Sequence, residues 1–250
     1  MPGRFEGKVG VVTGGANGFG EAVAERLVAD GASVVLVDVN DKVREVASRL
    51  GGLGVVADVT RPEDVARYVN EAVSAFGRID LFFNNAGIEG PRGSFGDLSI
   101  EDFDRVLNVN VRGVWLGLHE VMPVMERSGG GAIVNTSSQA GIKGGRNFSP
   151  YITSKHAVVG ITRCAALEGA PNNIRCNAIC PGLIDTEMLR RLGTDENGDY
   201  AANLERMAGT VPAGVLGTAE EVANFATWLL SEEASYISGG VFLIDGALNA

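Results

Sequence analysis

Histidine and cysteine are scarce in this 250-residue chain, which has two of the first and three of the second. His119 and His156 have no carboxylate or cysteine neighbours at metal-ligand spacing, so no catalytic metal is expected. Cys164, Cys176 and Cys180 are odd in number and follow no redox or zinc spacing. They read as buried small apolar side chains in a reducing compartment. No run of about 18 uninterrupted apolar residues is available to cross a bilayer. Residues 1–8 lack the apolar core of a signal peptide, so the expected location is cytoplasmic. Basic charge is also short: 21 Lys and Arg against 31 Asp and Glu leave a formal charge of −10. That balance argues against nucleic-acid and anionic-membrane partners, both of which need clustered cations.

The chain is 45% hydrophobic and 21% charged, with 35 glycines. Length and composition suit one α/β domain with a large core, and the glycines suit many tight strand–helix turns. Short β-branched runs at 9–13, 33–38, 55–58, 79–83, 132–136, 175–179 and 241–244 read as strands. Helices are expected at 21–30 and 42–50, from Pro62 with Thr60 as cap, at 99–125 and at 151–167. Continuously apolar strands alternating with helices predict a doubly wound, mostly parallel sheet of these seven strands, covered by helices on both faces. No repeat or composition break divides residues 1–250. The polar, glycine-interrupted stretch at about 184–216 is expected to be a lid over a site, with a helical part at 201–207.

Three local patterns carry chemistry. Thr13-Gly14-Gly15-Ala16-Asn17-Gly18-Phe19-Gly20 lies between the first strand and the first helix, where a dinucleotide pyrophosphate meets the positive end of a helix. Its glycine spacing is a variant of the usual Gly-x-Gly-x-x-Gly. Asp38 ends the second strand, 18 residues after Gly20. Its carboxylate can accept both hydroxyls of an adenosine ribose and would repel a 2′-phosphate, and no Lys or Arg stands between Gly14 and Gly20 or immediately after Asp38 to bind one. NAD is therefore expected rather than NADP. Tyr151 and Lys155, four apart, share a helix face. An ammonium beside a phenol favours the phenolate, making a general base of a group whose ordinary pKa is about 10. Alone, that spacing arises often by chance on amphipathic helices; the glycine turn gives it a context.

With these motifs in this order, the sequence resembles the short-chain dehydrogenase/reductase family over residues 8–246, specifically its compact single-domain branch with a Rossmann-type fold. The glycine turn matches the family's Thr-Gly-x-x-x-Gly-x-Gly, with Phe19 where an aliphatic residue is more usual. Asp58-Val59 matches the pair that contacts the adenine, and Asn84-Asn85-Ala86-Gly87 the segment that supports the sheet and borders the adenosine. Asn110 falls at the family's catalytic Asn. Ser138, 13 residues before Tyr151, falls at its catalytic Ser, with Ser137 as a competitor that the spacing disfavours. Pro181, Gly182, Ile184 and Thr186 match the segment that closes over the nicotinamide.

The resemblance implies an NAD-dependent oxidoreductase interconverting a secondary alcohol and a ketone. Tyr151 would move the hydroxyl proton, and Lys155 would lower the phenol pKa and hold the nicotinamide ribose. Ser138 would fix the substrate oxygen, and Asn110 would hold a water that joins Lys155 to solvent. Gly14, Asn17, Gly18, Phe19, Gly20, Asp38, Asp58, Val59, Asn85, Ala86 and Gly87 would complete the cofactor site. The expected substrate wall comprises 89–92, 139–148 and the lid. Gln139, Ile142, Phe148, Met188, Leu189 and Leu192 give it an apolar character that suits a cyclic or aromatic alcohol. Arg190 and Arg191 keep a 3-oxoacyl-thioester reductase open. An epimerase of the same family would carry a larger C-terminal part. A non-catalytic dinucleotide sensor would usually have lost one of the four catalytic residues. The resemblance further implies a homotetramer.

Overall fold

The computed structural model describes residues 3–193 and 200–250, with the side chains of 191–193 and 200–202 excepted. Residues 194–199 of the expected lid, and the side chains of Arg191 and Leu192, thus lie outside the described residues.

Elements alternate from the start: β1 (Val9–Thr13), α1 (Gly18–Ala29), β2 (Ser33–Asp38), α2 (Lys42–Arg49), β3 (Leu53–Val56), α3 (Pro62–Phe76) and β4 (Leu81–Asn84). There follow α4 (Ile100–Leu107), α5 (Val114–Arg127), β5 (Gly131–Thr136), α6 (Ser149–Gly169) and β6 (Ile174–Pro181). The chain continues through α7 (Glu187–Gly193), α8 (Tyr200–Ala208), α9 (Ala219–Leu230) and β7 (Val241–Ile244). The seven strands form one parallel sheet in the order β3-β2-β1-β4-β5-β6-β7.

Successive strand residues point to opposite faces, and both faces are apolar and covered. Val12, Leu36, Phe83 and Val134 join α1, α2 and α9 in one core, including Leu27, Val46 and Leu229. Their neighbours Val11, Val35, Phe82 and Ile133 join α3, α5 and α6 in the other, including Tyr68, Val121 and Val158. At the amino edge of the sheet, Asp80 ties three strands together. Its N–H donates to Val9 O (2.9 Å), its carbonyl accepts from Ala132 N (2.9 Å) and its Oδ2 accepts from Val9 N (2.9 Å). Arg78 grips the same carboxylate through Nε and Nη2, at 2.5–3.0 Å.

Several boundaries differ from expectation, each for a local reason. Pro62 does open α3, but the capping position is Arg61, without a side-chain cap. Thr60 is instead held by Asp58, whose Oδ1 accepts from Thr60 N at 2.8 Å. The expected helix at 99–125 starts one residue later, because Ser99 accepts from Asp102 N as its cap. It is also not uniform: residues Asn108–Gly113 form a π-helical segment between α4 and α5. Cys164 is exposed, unlike Cys176 and Cys180, because it faces outward from α6 beside the buried Ala165. The helix α9 is an addition to the expected elements, although Thr218 and Glu221 form a reciprocal capping box directly before its apolar run. No helix among the described residues is long and apolar enough to cross a membrane.

The Asp80 junction generates a stability prediction. Replacing Asp80 by Ala leaves Val9 N without its side-chain acceptor and Arg78 without its counter-charge. It should cost about 2–4 kcal/mol in urea unfolding. A loss below about 0.5 kcal/mol would show that the sheet edge does not depend on it.

Candidate active site

β1 has β2 on one side and β4 on the other, so the loops leaving β1 and β4 diverge and open a crevice at the carboxyl ends of the strands. A cleft of ≈ 1110 Å³ starts there and runs past the ends of β5 and β6. Its glycine-turn end is cross-linked to the sheet. Thr13 Oγ1 accepts from Asn85 N (2.9 Å) and Ala86 N (3.1 Å), and Asn85 Nδ2 donates to Thr13 O (3.0 Å). Thr136 Oγ1 donates to Asn85 Oδ1 at 3.1 Å, which brings in β5. Gly14 has φ +69°, and a Cβ there would stand 2.8 Å from Asn85 Nδ2, so only glycine fits.

The residues present fit a dinucleotide. Asn17 precedes α1 without a side-chain capping bond, which leaves the positive end of that helix open to an anion. Gly14, Asn17, Gly18 and Phe19 line the cleft. Gly20 does not; it packs beneath, where a Cβ would meet Gly14 O at 2.0 Å. Asp38 lines the cleft while its Oδ2 accepts from Ala16 N (3.1 Å) and its Oδ1 from Asn40 N (2.9 Å). The carboxylate is thereby fixed in place, and each oxygen keeps a lone pair for a ligand hydroxyl. Asp58, Val59, Ala86 and Gly87 continue the wall, and Pro181 at the end of β6 with Gly182, Ile184 and Thr186 beyond it form the far part. Ile184 bridges Gly217 in parallel fashion, so the two ends of the 184–216 stretch lie side by side. Met188 and Leu189 of α7 and Met207 of α8 reach the cleft from that stretch.

Tyr151 and Lys155 project from one turn of α6 into the same cleft. Lys155 is only 4% exposed; its Nζ donates to Thr136 O at 2.9 Å and lies 5.5 Å from the centre of the Tyr151 ring. Burial pulls the Lys155 pKa down to about 8. Desolvation pushes the Tyr151 phenol up to about 12; the Ser138 hydroxyl against it pulls the other way, and Glu89 adds to the rise. The expected depression of the Tyr151 pKa is therefore not a property of the unliganded protein. Burial outweighs the pull of the Ser138 hydroxyl.

Ser138 and Ser137 both border the cleft but make different bonds. Ser138 lines the cleft and its Oγ accepts from Ala140 N at 3.1 Å. Ser137 is buried, and its Oγ donates to Lys155 O at 2.9 Å, bracing α6. Asn110 lies behind the cleft, fully buried in the π-helical segment, where the widened turn admits its amide. Its Oδ1 accepts from Ile88 N (2.8 Å), and its Nδ2 donates to Ile88 O (2.7 Å) and Ser154 Oγ (3.0 Å). Ser154 Oγ in turn donates to Tyr151 O at 2.7 Å. A Cβ added to Gly87 would sit 3.2 Å from Asn110 Oδ1 and 3.4 Å from Lys155 Nζ, so the two groups flank that glycine.

The rest of the cleft is mixed. Phe148 stacks on Tyr151 with ring centres 4.7 Å apart, and the Arg92 guanidinium lies 4.9 Å above Phe148. Glu89, half-buried, lines the cleft, and burial pushes its carboxyl up to about 7 against the pull of Arg92. Gln139 lines it too, with its Oε1 accepting from Asn249 Nδ2 at 2.9 Å. Ile142 does not contribute: it is 43% exposed, because its backbone turns outward after the short helical turn at Gln139–Gly141.

Residues 14–249 match a family model described as enoyl-(acyl carrier protein) reductase. Levodione reductase of Leifsonia aquatica is 42% identical over 258 residues, covering 99% of this chain and 96% of the relative. A crystal structure of levodione reductase superposes with a TM-score of 0.92, covering 97% of this chain and 98% of that one at 40% identity. The chain belongs to the short-chain dehydrogenase/reductase family. Cyclohexanol dehydrogenase of Acinetobacter sp. (strain SE19) is 40% identical, covering 99% of this chain and 97% of the relative. NAD+-bound xylitol dehydrogenase superposes with a TM-score of 0.91 at 36% identity, covering 97% and 99%.

Within this short-chain dehydrogenase/reductase the structure adds Thr136 and Ser154 to the residues singled out in the sequence, and gives Thr13, Ser137, Glu89 and Phe148, already included there, definite contacts. Thr13, Thr136, Ser137 and Ser154 hold the site residues by hydrogen bonds, Phe148 stacks on Tyr151, and Glu89 lines the same cleft. Thr136 and Ser154 are small hydroxyl residues with no pattern of their own, so only contact reveals them.

The phenol's environment gives a testable titration. Burial favours the neutral form, so Tyr151 ionises later than an ordinary tyrosine as pH rises. The ultraviolet difference between wild type and Tyr151→Phe, without ligands, should show no phenolate at about pH 10 and a midpoint near the value of about 12. A midpoint below about 10 would contradict the dominance of desolvation.

Proposed function

We propose that this protein is an NAD-preferring alcohol dehydrogenase that interconverts a secondary alcohol and its ketone, acting on a cyclic or aromatic, largely apolar substrate. One observation carries the reading. The Tyr151 phenol, with the Ser138 hydroxyl against it and the Lys155 ammonium one helical turn away, lines the same cleft that begins at the glycine turn.

Bound NAD supplies a hydride acceptor at the nicotinamide and a positive ring. Tyr151 takes the proton of the substrate hydroxyl as hydride leaves the carbinol carbon, and returns it in reduction. Ser138 donates to the substrate oxygen and holds it beside Tyr151. Lys155 adds positive charge near the phenolate and reaches the nicotinamide ribose. Asn110 Oδ1, on the other side of Gly87, keeps a lone pair for a water that replenishes the proton. Asp38 accepts the adenosine ribose hydroxyls, and Pro181, Gly182, Ile184 and Thr186 seat the carboxamide end. The 184–216 stretch, closed at its base by the Ile184–Gly217 bridge, serves as the lid.

Phe148, Met188, Leu189 and Met207 support an apolar ring as substrate, and so does the similarity to a protein named cyclohexanol dehydrogenase. The thioester-reductase alternative wants free cations at the entrance. Arg190 is paired with Asp185 at 3.0 Å and Arg92 lies over Phe148, which leaves Lys143 as the exposed cleft-lining cation without an ion pair among the described residues. A cytoplasmic location agrees with the three unpaired cysteines. A homotetramer is supported by Trp115 (52% exposed) on α5, Leu167 (78%) on α6 and Leu243 (40%) on the edge strand β7, apolar surface that a second copy would cover.

The assay is NADH formation with cyclohexanol. Wild type should turn over with NAD well ahead of NADP, Tyr151→Phe should lose at least about 10³-fold in kcat while still binding NADH, and Asp38→Ala should narrow the NAD preference. An active Tyr151→Phe would contradict the role of Tyr151, and a wild type preferring NADPH would contradict that of Asp38. Sedimentation at assay concentration should find four chains per particle, and a monomer would overturn the assembly.

A further inference from the structure

We infer that Glu89 is a specificity-determining residue that accepts a hydrogen bond from a second hydroxyl of the substrate, remote from the reacting carbon, so that the preferred substrates are ring diols. This rests on the alcohol-dehydrogenase reading and narrows it.

The placement of Glu89 is built rather than incidental. Its backbone follows Ile88, which Asn110 clamps through both its N–H (2.8 Å) and its carbonyl (2.7 Å). The next residue, Gly90, has φ +72°, and a Cβ there would stand 2.3 Å from Val106 Cγ2, so the turn that aims Glu89 requires glycine. Three residues on, Gly93 N donates to Asn147 O at 3.1 Å and ties this loop to the one carrying Phe148. Glu89 is thus fixed against the same wall as Tyr151.

Its carboxyl nevertheless has no internal partner. Among the described residues no hydrogen bond or ion pair reaches it, and Arg92, the nearest cation to act on it, lies over the Phe148 ring. A half-buried carboxyl without a partner carries an uncompensated desolvation cost, which a ligand donor in the cleft would offset. The polar groups nearest the chemistry are committed elsewhere. Ser138 and Tyr151 face one another, and Lys155 donates to Thr136 O. Phe148, Met188, Leu189 and Met207 offer no strong acceptor to a second oxygen, and Gln139 Oε1 already accepts from Asn249 Nδ2 at 2.9 Å. A carboxyl oxygen accepts from a hydroxyl in either protonation state, so the contact holds over the neutral pH range. Glu89 also acts on Tyr151 through its charge. That effect is common to every alcohol, and it cancels when two substrates are compared in one variant.

The test compares kcat/KM with NAD for cyclohexanol and for the 1,2-, 1,3- and 1,4-cyclohexanediols in wild type, Glu89→Gln and Glu89→Leu. Wild type should favour one diol over cyclohexanol by about tenfold or more, beyond the statistical advantage of two hydroxyls. Glu89→Leu should collapse that ratio mainly through KM for the diol, and Glu89→Gln, whose amide oxygen still accepts, should retain part of it. A wild type with no diol preference would overturn the inference, as would a Glu89→Leu variant in which both substrates change by the same factor. If wild type forms no NADH with any of the four alcohols, the dehydrogenase reading itself fails and the inference with it. Equal thermal midpoints for the three proteins tie the change to the contact rather than to folding.

Discussion

A lysine buried to 4% exposure, donating through its ammonium to the carbonyl of Thr136, sets the conditions for everything around it. Burying an ammonium is costly, and its pKa falls to about 8 as a result. The cost is tolerated because Lys155 is braced from several directions. Ser137 holds its carbonyl, Thr136 ends β5 beside the central strand β4, and Thr136 Oγ1 links through Asn85 to Thr13 at the end of β1. The lysine therefore couples the end of the sheet to the helix that carries Tyr151.

The π-helical turn at Asn108–Gly113 follows from the same demand. It opens the long helix enough to bury Asn110, whose amide joins the Gly87–Ile88 backbone to Ser154, and Ser154 holds the carbonyl of Tyr151. Lys155 and Asn110 flank Gly87, where any Cβ would crowd both. The parts are thus mutually dependent: sheet end, interrupted helix and α6 fix one another before any ligand enters. The same packing keeps water from the Tyr151 phenol, whose pKa desolvation pushes up to about 12.

How much of this is legible in the sequence depends on the range of the interaction. Strands such as Val9–Thr13 and Ser33–Asp38 are legible because a strand buried on both faces must be apolar throughout. The glycine turn, Asp38 and the Tyr151–Lys155 spacing are legible because each needs a particular residue type at a fixed local offset. The π turn is not, since Asn108–Gly113 carries good helix formers on both sides and is widened by contacts with Ile88 and Ser154 far along the chain. Glu89 and Phe148 are legible only as members of the expected wall at 89–92 and 139–148, because the stacking of Phe148 on Tyr151 and the unpartnered state of the Glu89 carboxyl depend on the folded backbone. The outward turn of Ile142 and the exposure of Cys164 run against average residue preference, which a local backbone path overrides. The start of α9 is legible in principle, as Thr218 and Glu221 mark it with a capping box, but the polar stretch before it masks the signal.

The central claim is that the cleft holds an alcohol so that its carbinol hydrogen passes as hydride to a nicotinamide while Tyr151 takes the hydroxyl proton. Label transfer tests it most directly, by incubating the protein with NAD and cyclohexanol deuterated at the carbinol carbon and examining the reduced cofactor by mass spectrometry and NMR. The account predicts NADH carrying that deuterium on a single face of nicotinamide C4, and none with Tyr151→Phe. Unlabelled NADH, label on both faces, or cyclohexanone formed without reduced cofactor would contradict it.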